Sequence, residues 1–139
     1  MGQQQLLLII LGVIVVGIAV AVGITMFSDS ATNANRDAMT NDLVNLASRA
    51  QQYYRRPTSL GGGGNTFGGL TATTAGIARL TNQPKNGNGS YYITALGGGT
   101  GTAASVDIEG LGNETGPNGA PVQMHIKVFP STDSVWVVN

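Results

Sequence analysis

The chain contains no cysteine, which excludes disulfide staples, thiolate catalysis and zinc sites built on sulfur. It holds a single histidine, His125, so no pair of imidazoles exists to ligate a metal. Charge is scarce as well. Only 10% of the residues are charged, and seven basic side chains cancel seven acidic ones, so no field argues for nucleic acid or for an anionic membrane surface. Low charge beside 21 glycines in 139 residues is an unusual composition for a cytosolic enzyme and points to a surface that is largely covered. The length allows one small globular domain with an appendage.

What is present begins at the N-terminus. Residues 6–27 run without a charge, built from Leu, Ile, Val, Ala and Met with Gly12, Gly17, Gly23 and Thr25 among them. As a helix this run spans roughly 30 Å, the thickness of a bilayer core. A secretory signal peptide has a basic start, a shorter apolar stretch and a small-x-small cleavage site. This run is longer and opens Met-Gly-Gln-Gln-Gln, so it reads as a retained element.

A single-span anchor is the plain reading, and three features pull away from it. Each glycine costs about 1 kcal/mol of helix propensity relative to alanine, which lipid does not repay but close helix–helix packing does. No Lys or Arg precedes the run, and the first after it is Arg36, so the usual orienting charge is missing. A short basic leader, since removed, would supply it; Met1 as the translated start is the alternative. Helical character also continues beyond Phe27. Residues 28–56 contain neither proline nor glycine, and Met39, Leu43, Leu46, Ala50 and Tyr53 recur along one amphipathic face.

Asn35, Asp42, Asn45, Arg49 and Gln52 fall on other faces. Arg55 and Arg56 suit a helix C-terminus, and Pro57 ends the helix. The pattern predicts one helix over 3–56, roughly 80 Å long. Its weakest point is the Ser-, Asp-, Thr- and Asn-rich stretch 28–35, where a bend or fraying is expected.

An apolar N-terminal helix that runs into an amphipathic half and then a small β-rich domain resembles the type IV pilins and their relatives. The resemblance covers the first 56 residues well and the remainder in outline. It implies a precursor trimmed by a prepilin peptidase after a glycine, a stage in the cytoplasmic membrane, and assembly by pilus machinery into a cell-surface filament. The partners are then other copies of the chain, whose apolar helices bundle in the filament core. The implied assembly surface comprises Gln5, Leu6, Leu7, Leu8, Ile9, Ile10, Leu11, Gly12, Val13, Ile14, Val15, Val16, Gly17, Ile18, Ala19, Val20, Val22, Gly23, Ile24, Met26 and Phe27.

Two family features are absent. Bacterial members typically carry a glutamate at the fifth mature position, which here is Gln5 if Met1 is the mature start; its amide can hydrogen-bond an ammonium but cannot neutralise it. The proline that commonly interrupts the apolar helix late in its run is replaced by Val22, so no residue forces a break. A pilin-like lineage with its own start sequence fits these departures.

The expected fold class is α+β, a long helix on an antiparallel sheet of about four strands. Four segments follow in order: 1–27 as the polymerisation or transmembrane helix, 28–56 as the amphipathic half, 57–89 as a Gly-rich connection, and 90–139 as the sheet. The connection contains Gly61, Gly62, Gly63 and Gly64 and reads as flexible loop, with a short helix around 73–80. Strands are expected at 90–96, 103–109, 121–129 and 134–138. In the third, Val122, Met124, Ile126 and Val128 alternate with Gln123, His125, Lys127 and Phe129. The turn Pro130, Ser131, Thr132, Asp133 folds the last strand back as a hairpin. A meander of this size needs a cover, and the Met39, Leu43, Leu46, Ala50 and Tyr53 stripe is the available partner.

Chemistry-bearing residues are few. Gly97, Gly98, Gly99, Thr100 and Gly101 lack the Lys-Ser/Thr of a P-loop and precede a strand, so they read as a hairpin loop. His125 reads as a surface histidine, and Asp107 and Glu109 as solvated charges on one strand face rather than a calcium site or carboxylate pair. Tyr53–Tyr54 and Tyr91–Tyr92 read as core and interface packing. Asn88-Gly89-Ser90 and Asn113-Glu114-Thr115 match the N-glycosylation pattern. No cofactor or metal is expected. No nucleophile, base and orienting group form a set, so an enzyme is not expected either. A filament subunit is the leading expectation, with a minor pilin-like component of a secretion or uptake machine and a membrane-anchored binding module as alternatives.

Overall fold

The computed structural model describes residues 2–98 and 103–139. A helix of 54 residues, α1 (Gly2–Arg55), runs without a break through both the apolar and the amphipathic segments. The stretch 28–35 stays helical, against the expected fraying. The reason is a contact outside the helix. Thr32 is buried, and its hydroxyl bonds back to the Ser28 carbonyl at 3.0 Å and across to the Thr115 carbonyl at 2.9 Å. A polar segment that would fray alone is thereby held against the sheet.

After a 3-10 turn (Thr58–Leu60) and a one-turn helix, α2 (Thr74–Ile77), the chain forms four strands: β1 (Gly89–Gly97), β2 (Ser105–Thr115), β3 (Pro121–Val128) and β4 (Asp133–Val137). They make one antiparallel sheet in the order β1-β2-β3-β4. The fold is α+β. The second strand starts two residues later than its expected bounds and runs six further, while α2 covers only the middle of its expected span. Gly99, Thr100 and Gly101 of the expected hairpin loop lie outside the described residues.

One face of the sheet carries Val106, Ile108, Val122, Met124, Ile126 and Val128, all buried, against Met39, Leu43, Leu46, Ala47, Ala50 and Tyr53 of α1. Gly110 and Gly112 allow the approach. A Cβ at Gly110 would meet Met39 Cε at 2.9 Å, and one at Gly112 would meet Met39 Sδ at 2.8 Å. Phe67, Leu70, Ile77 and Leu80 close the core from the connecting segment.

That segment is not the flexible loop its composition suggests. Gly63 N–H donates to the Tyr53 carbonyl at 2.7 Å, Gly64 to Arg56 at 2.9 Å and Asn65 to Tyr54 at 2.8 Å. The glycines fold back to cap the orphan carbonyls of the α1 C-terminus. At Gly63 a side chain would fall on the Thr66 carbonyl, so the run is dense in glycine because the backbone must come this close.

Candidate assembly surface

Every residue from Gly2 to Ser30 is exposed, including each member of the expected assembly surface. The large apolar side chains of residues 6–27 range from 52% exposed at Val22 to 80% at Phe27. This is a continuous apolar cylinder, far beyond the few hundred Å² that a monomer in water leaves uncovered. It is long and apolar enough to cross a membrane.

Gly12, Gly17 and Gly23 have nothing within 4 Å of the position a Cβ would take. No contact inside the subunit requires them. Thr25 turns its hydroxyl back to the Ala21 carbonyl at 2.8 Å, which removes the run's one side-chain hydroxyl from the surroundings. Gln3, Gln4 and Gln5 are the polar side chains of the tip.

The head carries two polar clusters that periodicity did not reveal. In the first, the half-buried Asp42 accepts at Oδ2 from Asn86 (2.8 Å), Asn88 (2.8 Å) and the Tyr91 hydroxyl (2.7 Å). Burial pushes the Asp42 pKa up, but the hydrogen bonds from Asn88, Tyr91 and Asn86 outweigh it and hold the carboxyl below its ordinary value. Tyr91 is raised in turn, first by burial and then by the Asp42 carboxylate. Asp42 pins the turn 84–89 to the helix, so it is not the outward-facing residue its helical position suggested. Asn35 adds a bond from its amide to the Asn88 carbonyl at 2.9 Å.

The second cluster lies on the sheet face away from the helix. The register aligns Tyr92, Glu109, His125 and Trp136 in one row across all four strands. Glu109 is not a solvated charge: it is 6% exposed. Its Oε1 accepts from the Tyr92 hydroxyl at 2.6 Å and from Gln123 Nε2, and its Oε2 faces His125 Nε2 at 3.6 Å. His125 is not a surface histidine either, because its ring stacks on Trp136 with centroids 5.6 Å apart and planes 12° from parallel. Tyr92 is pushed up to about 12, by burial and then by its bond to Glu109 and that carboxylate's charge. Asp107 is half-buried and lies 3.8 Å from Lys127 Nζ.

The oxygens of Glu109 and Oδ2 of Asp42 are engaged by groups of the chain itself. Both clusters tie elements together: Glu109 links β1, β2 and β3, and Asp42 links α1 to β1. Among the described residues no group of three His, Cys, Asp or Glu side chains could hold a metal ion. The tyrosine pairs divide their work. Tyr53 is buried, Tyr54 packs on Phe67 with centroids 4.8 Å apart, Tyr91 faces the core and Tyr92 the outer row. Of the two glycosylation-type asparagines, Asn88 donates its amide to Asp42 and Asn113 donates to the Gly87 carbonyl at 2.8 Å.

In comparisons with known proteins, no family model, curated protein or solved structure matches the chain. The architecture itself, a long N-terminal apolar helix on a small antiparallel sheet, is compatible with a pilin-like fold.

Proposed function

We propose that this chain is a pilin-like structural subunit that assembles, after a membrane-inserted stage, into a helical extracellular filament by bundling residues 2–27 of many copies. The observation that carries the reading is the exposed apolar helix whose glycines no contact within the subunit uses. A helix facing lipid loses propensity at each of those positions without return. Helices packed on one another gain close backbone approach from small residues. Processing by a prepilin peptidase and delivery by pilus assembly machinery belong to this reading.

The test is electron microscopy of material sheared from producing cells. Thin filaments containing the chain are expected. Recovery of the chain only as monomers in the membrane fraction would overturn the filament and leave a single-span anchored module.

A further inference from the structure

The sheet ends in an open edge. β4 is its last strand, and the ladder with β3 shows which backbone groups face outward. Val138 N–H donates to the Gln123 carbonyl at 2.9 Å, and Phe129 N–H to the Thr132 carbonyl at 2.8 Å. Between these two pairs the bonded partners alternate, so Ser134 and Trp136 turn their N–H and C=O groups toward β3. Asp133, Val135 and Val137 turn theirs away from the sheet. Among the described residues these outward groups have no partner strand.

Natural edges are guarded by charged side chains, above all lysine, by proline, by bulges or by a covering element. On β4 the one such guard is Asp133, at its first position. Its sequence is Asp-Ser-Val-Trp-Val with no bulge in its register, and Trp136, Val137 and Val138 are 42%, 49% and 51% exposed. The β1 edge, by contrast, is partly covered, with α2 beside it and Lys85 bridged to Ser90.

We infer that the β4 edge pairs with the β4 edge of a second copy of this chain, antiparallel about a two-fold axis at Val135. In this register Val135 faces Val135, Asp133 faces Val137, and Ser134 faces Trp136. Three demands are met together. Each outward backbone group meets an outward group of the copy, as a bonded antiparallel pair requires. The only charge on the strand, Asp133, opposes a valine rather than its own mate, so no like charges face each other. The two Trp136 rings become diagonal neighbours on the outer face, within aromatic reach, and extend the row of Tyr92, Glu109 and His125.

A two-fold contact of this kind cannot propagate along one polar filament. Resting on the filament reading, it places the contact between two filaments running in opposite directions, where a five-residue pairing is multiplied along their length.

The test uses the full-length chain in detergent. Because the chain has no cysteine, one introduced thiol reports one contact. Val135→Cys, on the axis, is expected to form a disulfide-linked pair under mild oxidation at least about tenfold faster than Ser131→Cys, which is exposed but outside the pairing. Equal rates overturn the contact. Trp136 is the sole tryptophan, so the wild-type chain should show a blue shift of emission with rising concentration. Val137→Pro removes an outward N–H without touching the β3 ladder and should abolish that shift; retention of the shift overturns the contact without reference to the thiol. The same variant should convert bundled filaments into separate ones. Wild-type filaments that always lie singly overturn the contact and leave the filament reading intact. An efficient Val135→Cys pair in a chain that never forms filaments supports the contact and overturns the filament reading.

Discussion

The two halves of α1 belong to one unbroken helix, yet they meet opposite surroundings. In residues 32–53 the apolar stripe is covered by the chain's own core, and Met39, Leu43 and Ala50 are 0% exposed. In residues 6–27 large apolar side chains stand more than half exposed all round. The second half has one stripe because only one side of it meets the core, formed by the sheet and the connecting segment. The first half has no preferred face, as expected of a helix surrounded on every side. No described residue of the chain packs around it. The same physics of apolar burial stabilises the subunit in one half and, in the function proposed above, drives association in the other.

The comparison breaks most completely by cutting between its parts. A fragment of residues 28–139 should be soluble and unfold cooperatively, because it keeps the stripe that covers Val122, Met124, Ile126 and Val128. Each such side chain contributes about 1.5–3 kcal/mol on burial. A fragment of residues 57–139 should aggregate or remain disordered. Thermal unfolding followed by circular dichroism distinguishes them, and equal cooperative transitions in both would show that the sheet does not need the helix.

Two point substitutions sharpen the contrast. Gly17→Arg should abolish filament assembly, since a charge buried without a partner costs several kcal/mol, while leaving the melting of the head unchanged. Leu43→Ala should do the reverse, costing about 2–5 kcal/mol of head stability with assembly retained wherever the head stays folded. If normal filaments formed from Gly17→Arg subunits, the bundled core would be wrong.

The second half of α1 and strand β3 were legible because each has a period. The stripe through Met39 and Tyr53 and the alternation through Val122 and Val128 identify the helix, the strand and the faces that meet. The clusters were not legible, for identifiable reasons. Glu109 occupies an outer position on β2, where alternation predicts water. What buries it is Tyr92, Gln123 and His125 arriving from other strands, a matter of register between segments 14 to 17 positions apart. Asp42 is claimed by asparagines of a turn that no helical pattern includes. The glycine run 61–64 looked flexible because composition cannot distinguish freedom from close approach, and the Tyr53, Tyr54 and Arg56 carbonyls it caps decide for the latter. Phe67, Leu70 and Ile77 enter the core from segments with no period to read.

A smaller effect tests whether the outer row matters to the head alone. Glu109→Ala leaves the Tyr92 hydroxyl and the Gln123 amide without their acceptor, which should cost about 1–3 kcal/mol. Filament formation should persist. A neutral result in a denaturant titration would mean that water replaces the carboxylate freely and that the row is not closed.

The smallest expected effects are those of pH, and they too should fall on the head and not on the apolar half. Asp42 has a lowered folded-state pKa, so its contribution is present above the unfolded aspartate value of about 3.9 and is lost as pH falls through the folded one. Tyr92 works in the opposite direction. Its folded value is raised to about 12, so its contribution is complete below the unfolded value of about 10 and disappears as pH climbs toward the folded one. Tyr91 is raised as well and steepens the same alkaline loss. The head should therefore melt at nearly constant temperature from about pH 5 to 9 with respect to these groups, and lower on either side. Tyr92→Phe should flatten part of the alkaline limb while leaving the acid limb in place, and Asp42→Asn should flatten the acid limb. Because residues 2–27 carry no titratable side chain, preformed filaments should hold together through the alkaline range in which the heads loosen. Filaments that dissociate in step with head melting would show that head contacts, and not the helix bundle, hold the polymer.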